Sequence, residues 1–336
     1  MSTDTIPTIH QRALAVTTAW MKGHGVKTLR ICVGLVYFWF GALKFAPDFS
    51  TEDSYLPGAT IRVLSLGLLD NGQGIHVLAV WECFIGFCLV TAVLVRPALM
   101  LLLAHLAIMF IPAIAWPQQV WRAFPFGLTL KGQYIVKNLV FIASALMLVA
   151  KLERRPAPAS GTPVGRLCRA FDDRLTAWVR RHGLLCVRIG MGVVYLWFGA
   201  LKYFPGVSPA EQLAAKTVEQ ITLGLIPPPI GLPVLAAWEC FIGAGLLAGL
   251  LPRTILVLIF AHLVGTFTPL FFFPEEIWTT FPFGLSLEGK YIVRNLVLYG
   301  AALMIGAELA SKRREALQDN RAELRDALAT RPPDTV

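Results

Sequence analysis

Long apolar runs alternate with short polar segments along most of the chain. Each run has about 20 residues, which as a helix matches a hydrocarbon core about 30 Å thick. The runs lack the alternation of apolar and polar residues that is typical of membrane-spanning strands, and a helix pairs all its backbone groups in lipid. The pattern therefore predicts an all-α membrane protein with eight transmembrane helices, near residues 27–46, 75–95, 97–116, 132–151, 185–204, 232–251, 254–273 and 289–309.

The second half of the chain repeats the first at an offset of 157 or 158 residues. The clearest matches are YFWFGALK at 37–44 with YLWFGALK at 195–202, WECFIG at 81–86 and 238–243, and FPFGLTLKGQYIVKNLV at 124–140 with FPFGLSLEGKYIVRNLV at 281–297. Each copy holds four apolar runs, so the repeat predicts two tandem four-helix bundles. An even number of crossings gives both copies the same orientation, related by a pseudo-two-fold axis along the membrane normal.

The expected organisation is a first unit over 1–157, a second over 158–315 and a polar tail over 316–336. Two segments outside the spans, 8–23 and 166–181, are expected to form amphipathic helices, with Trp20 and Trp178 facing the membrane interface. In the second unit, Ser208-Pro209-Ala210-Glu211 has the pattern of a helix start, which predicts a short helix in the loop after the first span.

Composition supports lipid as the main solvent. Of 336 residues, 56% are hydrophobic and 15% are charged, against about a quarter charged in soluble domains. The net charge of +9 is not interleaved with aromatic residues, as a nucleic-acid surface would require, but lies between the apolar runs. We therefore assign it to membrane topology and expect no nucleic-acid partner.

The basic residues also predict an orientation. The linker 151–182 carries eight Lys and Arg residues, whereas the loop 47–74 carries Asp48, Glu52, Asp53 and Asp70 against a single Arg62. Positive charge collects on the cytoplasmic side, so the linker and both termini are expected there. The first 25 residues do not read as a cleavable signal peptide, and the first spanning helix is expected to act as a signal anchor.

Ionisable residues recur at matched depth in both units, about 10 Å below the outer boundary at 1.5 Å per residue. We expect them to converge within each bundle on one buried cluster. The expected members are Lys44, Glu82, Lys137 and Asn138 in the first unit, and Lys202, Glu239, Arg294 and Asn295 in the second.

Two cations beside one carboxylate leave net positive charge in lipid, which favours an anion or a polarised carbonyl as ligand. Glu82 and Glu239 are the candidates for proton exchange. The equally open alternative is a structural ion network that holds helices together. Lys44 and Lys202 could also extend to the outer headgroups.

His105 and His262 lie mid-way along the third helix of each unit. They could carry protons or ligate haem, but each unit offers one imidazole at this depth, which favours a helix–helix hydrogen bond over haem. The sequence shows no His or Cys cluster with metal-ligand spacing, so no metal site is predicted. The FPFGL loops at 124–128 and 281–285 fit either a cover over the polar cluster or part of an aromatic belt.

These segments together resemble the DoxX superfamily of small four-helix bacterial membrane proteins. The resemblance rests on WFGALKF (39–45) with WFGALKY (197–203), on Glu followed by FIG, and on GQYIVKNLV (132–140) with GKYIVRNLV (289–297). It implies a bacterial inner-membrane bundle, often linked to redox work at the quinone pool, for which a redox protein could be a partner. One branch resembles the membrane subunit of thiosulfate:quinone oxidoreductase.

The chain departs from that family by fusing two units and by placing Arg294 where the first unit has Lys137. Lysine can release a proton, whereas arginine stays charged. The first unit is therefore expected to be the better candidate for proton-coupled chemistry.

Three functions follow from these expectations. The leading one is a quinone-interacting membrane component of an oxidoreductase or oxidative-stress assembly. In it, Glu82 and Glu239 exchange protons. The cations Lys44, Lys137, Lys202 and Arg294 polarise quinone oxygens or hold an anionic substrate. The second is a permeation pathway for a small anion or acid, which the apparent continuity of the helices disfavours. The third is a non-catalytic membrane anchor or adaptor.

Overall fold

The protein is helical almost throughout, with two short β-hairpins. The computed structural model describes residues 9–46, 49, 55–152 and 163–329. The elements of the first half are α1 (Ile9–Leu43), α2 (Tyr55–Leu64), α3 (Asn71–Thr91), α4 (Val95–Ile108), α5 (Ile111–Ala115), α6 (Pro117–Val120), β1 (Trp121–Ala123), β2 (Gly127–Leu128), α7 (Leu130–Val136) and α8 (Asn138–Lys151). The second half has the same order: α9 (Pro163–Leu201), α10 (Glu211–Ile221), α11 (Pro228–Ala248), α12 (Pro252–Phe267), α13 (Pro269–Phe272), α14 (Pro274–Ile277), β3 (Trp278–Thr280), β4 (Gly284–Leu285), α15 (Leu287–Val293) and α16 (Asn295–Ala329).

Within these described residues, eight helical segments are long and apolar enough to cross a membrane, as the sequence predicts. They lie in α1, α3, α4–α5, α7–α8, α9, α11, α12–α13 and α15–α16. The antiparallel hairpins β1–β2 and β3–β4 precede the last segment of each half. The acidic residues Asp48, Glu52 and Asp53 of the predicted outer loop lie outside the described residues.

The segments predicted as amphipathic helices are helical from residue 9 onward and over 166–181, but neither is separated from the span that follows it. Residues 9–43 form one helix, and so do residues 163–201, so the polar lead-in runs directly into the span. The reason is that Gly23 and Gly183 keep helical geometry, and a glycine inside a helix costs only about 1 kcal/mol. The tail expected from residue 316 is likewise helical as far as Ala329, as the continuation of α16.

The expectation of continuous spanning helices is also wrong. The third segment of each half breaks before a proline, at 109–110 before Pro112 and at Thr268 before Pro269, because proline has no N–H to donate. The fourth segment breaks for one residue, at Lys137 and at Arg294. There the amide of Val140 donates to the carbonyl of Lys137 at 3.0 Å, a tightened turn of 3₁₀ type.

The two halves are interlocked. Helix α1 packs chiefly on α3 of its own half and on α16 of the other, and α9 packs on α11 and on α8. Small residues make these crossings close, since a Cβ at Gly300 would lie 2.8 Å from the Leu29 Cα, and one at Gly190 would lie 3.0 Å from the Leu139 carbonyl. The last segment of each half is thereby held against the first helix of the other.

The loops fix the ends of the segments that carry polar residues. Asp70 and Gln73 form a capping box at the start of α3, and Thr129 and Ser286 cap α7 and α15. Helix α10 begins at Glu211, with Ala210 rather than Ser208 at the N-cap, so the predicted loop helix is present but starts later. Glu211 instead accepts the amide of Gly206 at 2.7 Å.

Candidate functional site

Each half contains a buried glutamate on its second spanning helix, paired with the lysine at the end of its first. In the second half, Lys202 Nζ lies 2.5 Å from Glu239 Oε2. In the first half, Lys44 forms the equivalent ion pair with Glu82. Both glutamates are less than 10% exposed, so each carboxylate is compensated within the protein.

A histidine and a tyrosine extend each ion pair into a chain of polar contacts. His262 Nε2 lies 2.9 Å from Glu239 Oε1, and Tyr195 Oη lies 3.4 Å from His262 Nδ1. The carboxylate can only accept, so Nε2 carries the hydrogen and Nδ1 accepts from the tyrosine hydroxyl. Thr266 adds a second hydroxyl 3.4 Å from the same Nδ1.

The first half has the same chain with looser geometry. His105 Nε2 lies 3.2 Å from Glu82 Oε1, outside hydrogen-bond geometry, and Tyr37 Oη lies 3.2 Å from His105 Nδ1. Met109 stands where the second half has Thr266. We call the groups around Glu82 site 1 and the groups around Glu239 site 2.

The sequence predicts that Lys137 joins Lys44 and Glu82 within one self-contained bundle. In the structure it does not. Its Nζ donates to Asn295 Oδ1 at 2.9 Å and to the Tyr291 carbonyl at 3.1 Å, and it lines the cavity of site 2. Arg294 makes the reverse crossing, since it donates to Asn138 Oδ1 and lines the cavity of site 1. The prediction that each half supplies its own second cation is therefore wrong.

The physical reason lies in the interlocked helices. Depth along a helix sets the height of a side chain, but the direction in which it points depends on packing. At the single-residue breaks, Lys137 and Arg294 turn toward the partner half, whereas Asn138 and Asn295 stay in their own sites. Aromatic rings stabilise both cations, with Lys137 Nζ 3.3 Å from the Tyr291 ring centroid and Arg294 Cζ 4.0 Å from that of Tyr134.

Site 2 opens into a cavity of about 440 Å³, within the range of about 300–1,000 Å³ usual for ligand pockets. One end holds the polar groups Lys137, Lys202, Glu239, His262 and Asn295. The remaining wall is mostly apolar, with contributions from α10, α11 and α12. Among the described residues, the buried Asn295 Nδ2 has no hydrogen-bond partner, so one amide donor beside this cavity is left unpaired.

Site 1 contains a smaller cavity of about 140 Å³. Its described lining contains four cations and one carboxylate, namely Lys44, Lys131, Lys290, Arg294 and Glu82. At the repeat positions of Lys131 and Lys290 the other half has Glu288 and Gln133, so the two sites differ in charge as well as size. Arg294 Nε is buried without a hydrogen-bond partner.

Sequence analysis did not identify four tyrosines near the sites. It selected charged residues and histidines, because placing a charge in lipid costs free energy. Tyr37 and Tyr195 touch the histidines, and Tyr134 and Tyr291 stack with the exchanged cations. The signal was present, because all four lie inside the repeated YFWFGALK and GQYIVKNLV segments.

The histidines and the FPFGL loops also have defined places. Both ring nitrogens of His105 and of His262 face protein groups, and the two rings belong to different sites. No residue of 124–128 or 281–285 lines either cavity, so these loops do not cover the polar groups. They join the halves instead, since Trp39 Nε1 donates to the Phe283 carbonyl and Trp197 Nε1 to the Phe126 carbonyl, both at 2.9 Å.

Within the described residues, no group of three or more His, Cys, Asp or Glu side chains is placed to hold a metal ion. Comparison of the chain with family models, with curated proteins and with solved structures finds no match.

Proposed function

We propose that this chain is a DoxX-like membrane protein that binds a quinone at site 2, as the membrane component of an oxidoreductase or oxidative-stress assembly. The observation that carries the proposal is the cavity of about 440 Å³, apolar along its walls and polar at one end. An apolar cleft with a few convergent polar groups is the usual form of a small-molecule site. The resemblance to DoxX proteins points to the same ligand class.

The polar end suits a molecule with acceptor oxygens. Asn295 Nδ2 and the lysine ammonium groups are donors, and Asn295 Oδ1 is already occupied by Lys137. A quinone carbonyl accepts hydrogen bonds and donates none, so it satisfies the amide hydrogen left without a partner. The ring would then lie near Trp238 and Tyr291, which also line the cavity.

The chemistry would be reduction of quinone to quinol, which consumes two electrons and two protons. The electrons would come from a redox protein partner. The two ammonium groups would supply the two protons, since Lys202 and Lys137 would each give one to a quinone oxygen. Both would afterwards regain a proton from water, Lys202 through Glu239 and His262. Lys137 stabilises negative charge that develops on the ring oxygen.

Native extraction followed by mass spectrometry of bound small molecules tests the proposal directly. We expect quinone to copurify with the protein in lipid discs. Asn295→Leu, which removes the amide donor, is expected to weaken quinone binding at least tenfold. The matched variant Asn138→Leu in site 1 is the control and is expected to change it less than threefold.

Glu239→Gln separates binding from proton transfer, because it keeps the shape of the side chain and removes its charge. We expect quinone to bind while quinol formation with membrane reductases slows by 10²-fold or more. Wild-type protein that retains no quinone and supports no quinol formation would remove the proposal.

We further propose two copies of a four-helix unit in parallel orientation in a bacterial inner membrane, with both termini cytoplasmic. The sequence repeat, the matched order of elements and the basic linker support this arrangement. Reporter fusions at residue 1 and residue 336 should both respond as cytoplasmic. A periplasmic signal from either terminus would contradict the orientation.

A second candidate function is permeation of a small anion or acid, and the cations around site 1 favour it. The interruptions at Lys137 and Arg294 also remove the objection that the helices are continuous. Against it stands the fully buried Phe141, whose ring is packed beside site 1 with its centroid 4.6 Å from Arg294 Cζ. Anion flux into liposomes that is lost in the double variant Glu82→Gln, Glu239→Gln would favour permeation, and unchanged flux would exclude it.

A further inference from the structure

The cavity of site 2 has polar groups at one end and extends to the surface of the protein at the other. Three of its apolar lining residues are strongly exposed: Ile221 on α10 at 46%, Val234 on α11 at 54% and Val264 on α12 at 70%. Val234 lies six residues inside its candidate span, and Val264 lies eight residues from the end of its own. At 1.5 Å per residue these depths are about 9–12 Å, so the opening faces the hydrocarbon of the bilayer.

The opening lies where the second half has small side chains. Gly265 lines the cavity, and a Cβ built there would meet only Ile221 Cδ1, at 3.7 Å. At the equivalent positions 108 and 109, the first half has Ile108 and Met109 in place of Gly265 and Thr266. Met109 lines the smaller cavity of site 1, and none of the described residues lining that cavity is exposed.

We infer that site 2 is entered sideways from the lipid, between α11 and α12, by a molecule with a polar head and a hydrophobic tail that remains in this opening. The inference rests on the proposed function, since it takes the head to be the quinone ring held at Asn295 and Lys202. It adds that the tail is part of recognition. It also separates the two sites: none of the described residues that line the cavity of site 1 is exposed, so site 1 is inferred not to accept a tailed ligand.

The depth of the opening agrees with the position of the polar groups. The carboxylate of Glu239 lies about five residues beyond Val234 on α11, which is about 8 Å along the helix. A ring that contacts Asn295 therefore has its tail directed to the level of Val234 and Val264. The tail lies in hydrocarbon both before and after binding, so its contribution comes from packing contacts with the apolar lining and not from removal of methylene groups from water. A head without a tail loses these contacts.

Two probes with the same ring test the inference in lipid discs: ubiquinone-0, which has no tail, and decylubiquinone, whose tail has ten carbons. Binding is measured by quenching of tryptophan fluorescence, with each probe expressed as its mole fraction in the lipid. We expect decylubiquinone to bind at least threefold more tightly than ubiquinone-0, because only its tail makes packing contacts in the opening. Expression per lipid corrects for the different partition of the two probes into the membrane.

Gly265→Ile closes the opening with the residue that the first half uses, and the Cβ has room. We expect decylubiquinone affinity to fall at least tenfold, while ubiquinone-0 affinity changes less than threefold. Ala107→Ile, on the exposed face of the equivalent helix in the first half, is the control and is expected to change neither. An unchanged elution profile and unfolding temperature establish that Gly265→Ile is folded, and Val264→Trp provides a second obstruction of the same opening.

Equal affinity for the two probes, or no effect of either obstruction on decylubiquinone, would overturn sideways entry and leave the quinone proposal standing. Absence of binding by both probes would overturn the quinone proposal and this inference with it. Loss of both probes in Gly265→Ile with a normal unfolding temperature would show that the substituted residue lies in the ring site, which also contradicts the inferred opening.

Discussion

At the scale of single residues, the exchange of Lys137 and Arg294 makes the two sites chemically unlike. Site 2 receives a lysine, whose ammonium is a compact donor that can give up a proton. Site 1 receives an arginine, which stays charged and is held over Tyr134. The sequence predicts the first unit as the better candidate for proton-coupled chemistry. The structure favours site 2 instead, because the lysine of the first half lines the cavity of site 2.

Lys137→Met tests this assignment. The change removes the ammonium but keeps the length of the side chain, so Asn295 Oδ1 and the Tyr291 carbonyl lose a donor in site 2. We expect quinone binding at site 2 to weaken at least tenfold, as in Lys202→Met, although residue 137 belongs to the other half. Titration of both variants with decylubiquinone measures the effect.

Arg294→Met is the matched control, because it alters site 1 although residue 294 is next to Asn295 in the chain. We expect it to leave decylubiquinone affinity within threefold of wild type. If Arg294→Met weakened binding and Lys137→Met did not, each side chain would belong to the site of its own half. The assignment of Lys137 to site 2 and Arg294 to site 1 would then be wrong.

At the scale of elements, close crossings of α1 with α16 and of α9 with α8 hold the sites together. Gly300 permits the first crossing, since its missing side chain leaves room for the Leu29 backbone. The same helices carry the polar residues, with Lys44 at the end of α1 and Asn295 at the start of α16. Separation of the crossing would therefore change both sites.

Gly300→Ala is expected to destabilise the protein by about 1–3 kcal/mol, because the new methyl meets the Leu29 Cα at 2.8 Å and the helices must move apart. Gly23→Ala is the control, with nothing within 4 Å of the added methyl and an exposed position in α1. There the gain in helix propensity predicts stabilisation by about 0.5–1 kcal/mol. Unfolding temperatures in detergent should shift in opposite directions, and equal shifts would contradict the close crossing.

Several features of the elements could be predicted from the sequence and others could not. Hydropathy and the repeat give eight spans, and cost in lipid identifies Glu82 and Glu239 as buried polar residues. No proline or glycine lies at the breaks at Lys137 and Arg294, so the sequence does not indicate them. The direction of those side chains depends on contacts between α8 and α9 and between α1 and α16, which lie far apart along the chain.

At the scale of the whole molecule, neither half has a complete site by itself. Site 2 takes Lys137 from the first half, and site 1 takes Arg294 from the second. The hairpins reinforce this dependence, because each is hydrogen-bonded to the first helix of the opposite half. Fusion of the halves in one chain keeps two unequal copies in equal number, which two separate chains could not ensure.

Cleavage of the connection between the halves tests this dependence without removing any residue of the sites. A protease site inserted between Pro156 and Ala157, within the linker joining α8 to α9, leaves both sets of spanning helices intact. We expect the cleaved halves to copurify in mild detergent and to bind decylubiquinone within threefold of the intact protein. The packing of α1 on α16 and of α8 on α9 should persist after the chain is cleaved.

The residues 158–336 expressed alone provide the contrasting measurement. They retain Lys202, Glu239 and His262 but lack Lys137 and the surface on which α9 packs. We expect this half to bind decylubiquinone at least tenfold more weakly, and coexpression of residues 1–157 to restore affinity. Full affinity in the isolated second half, or separation of the cleaved halves in mild detergent, would show that the sites are self-contained, as two independent bundles would require.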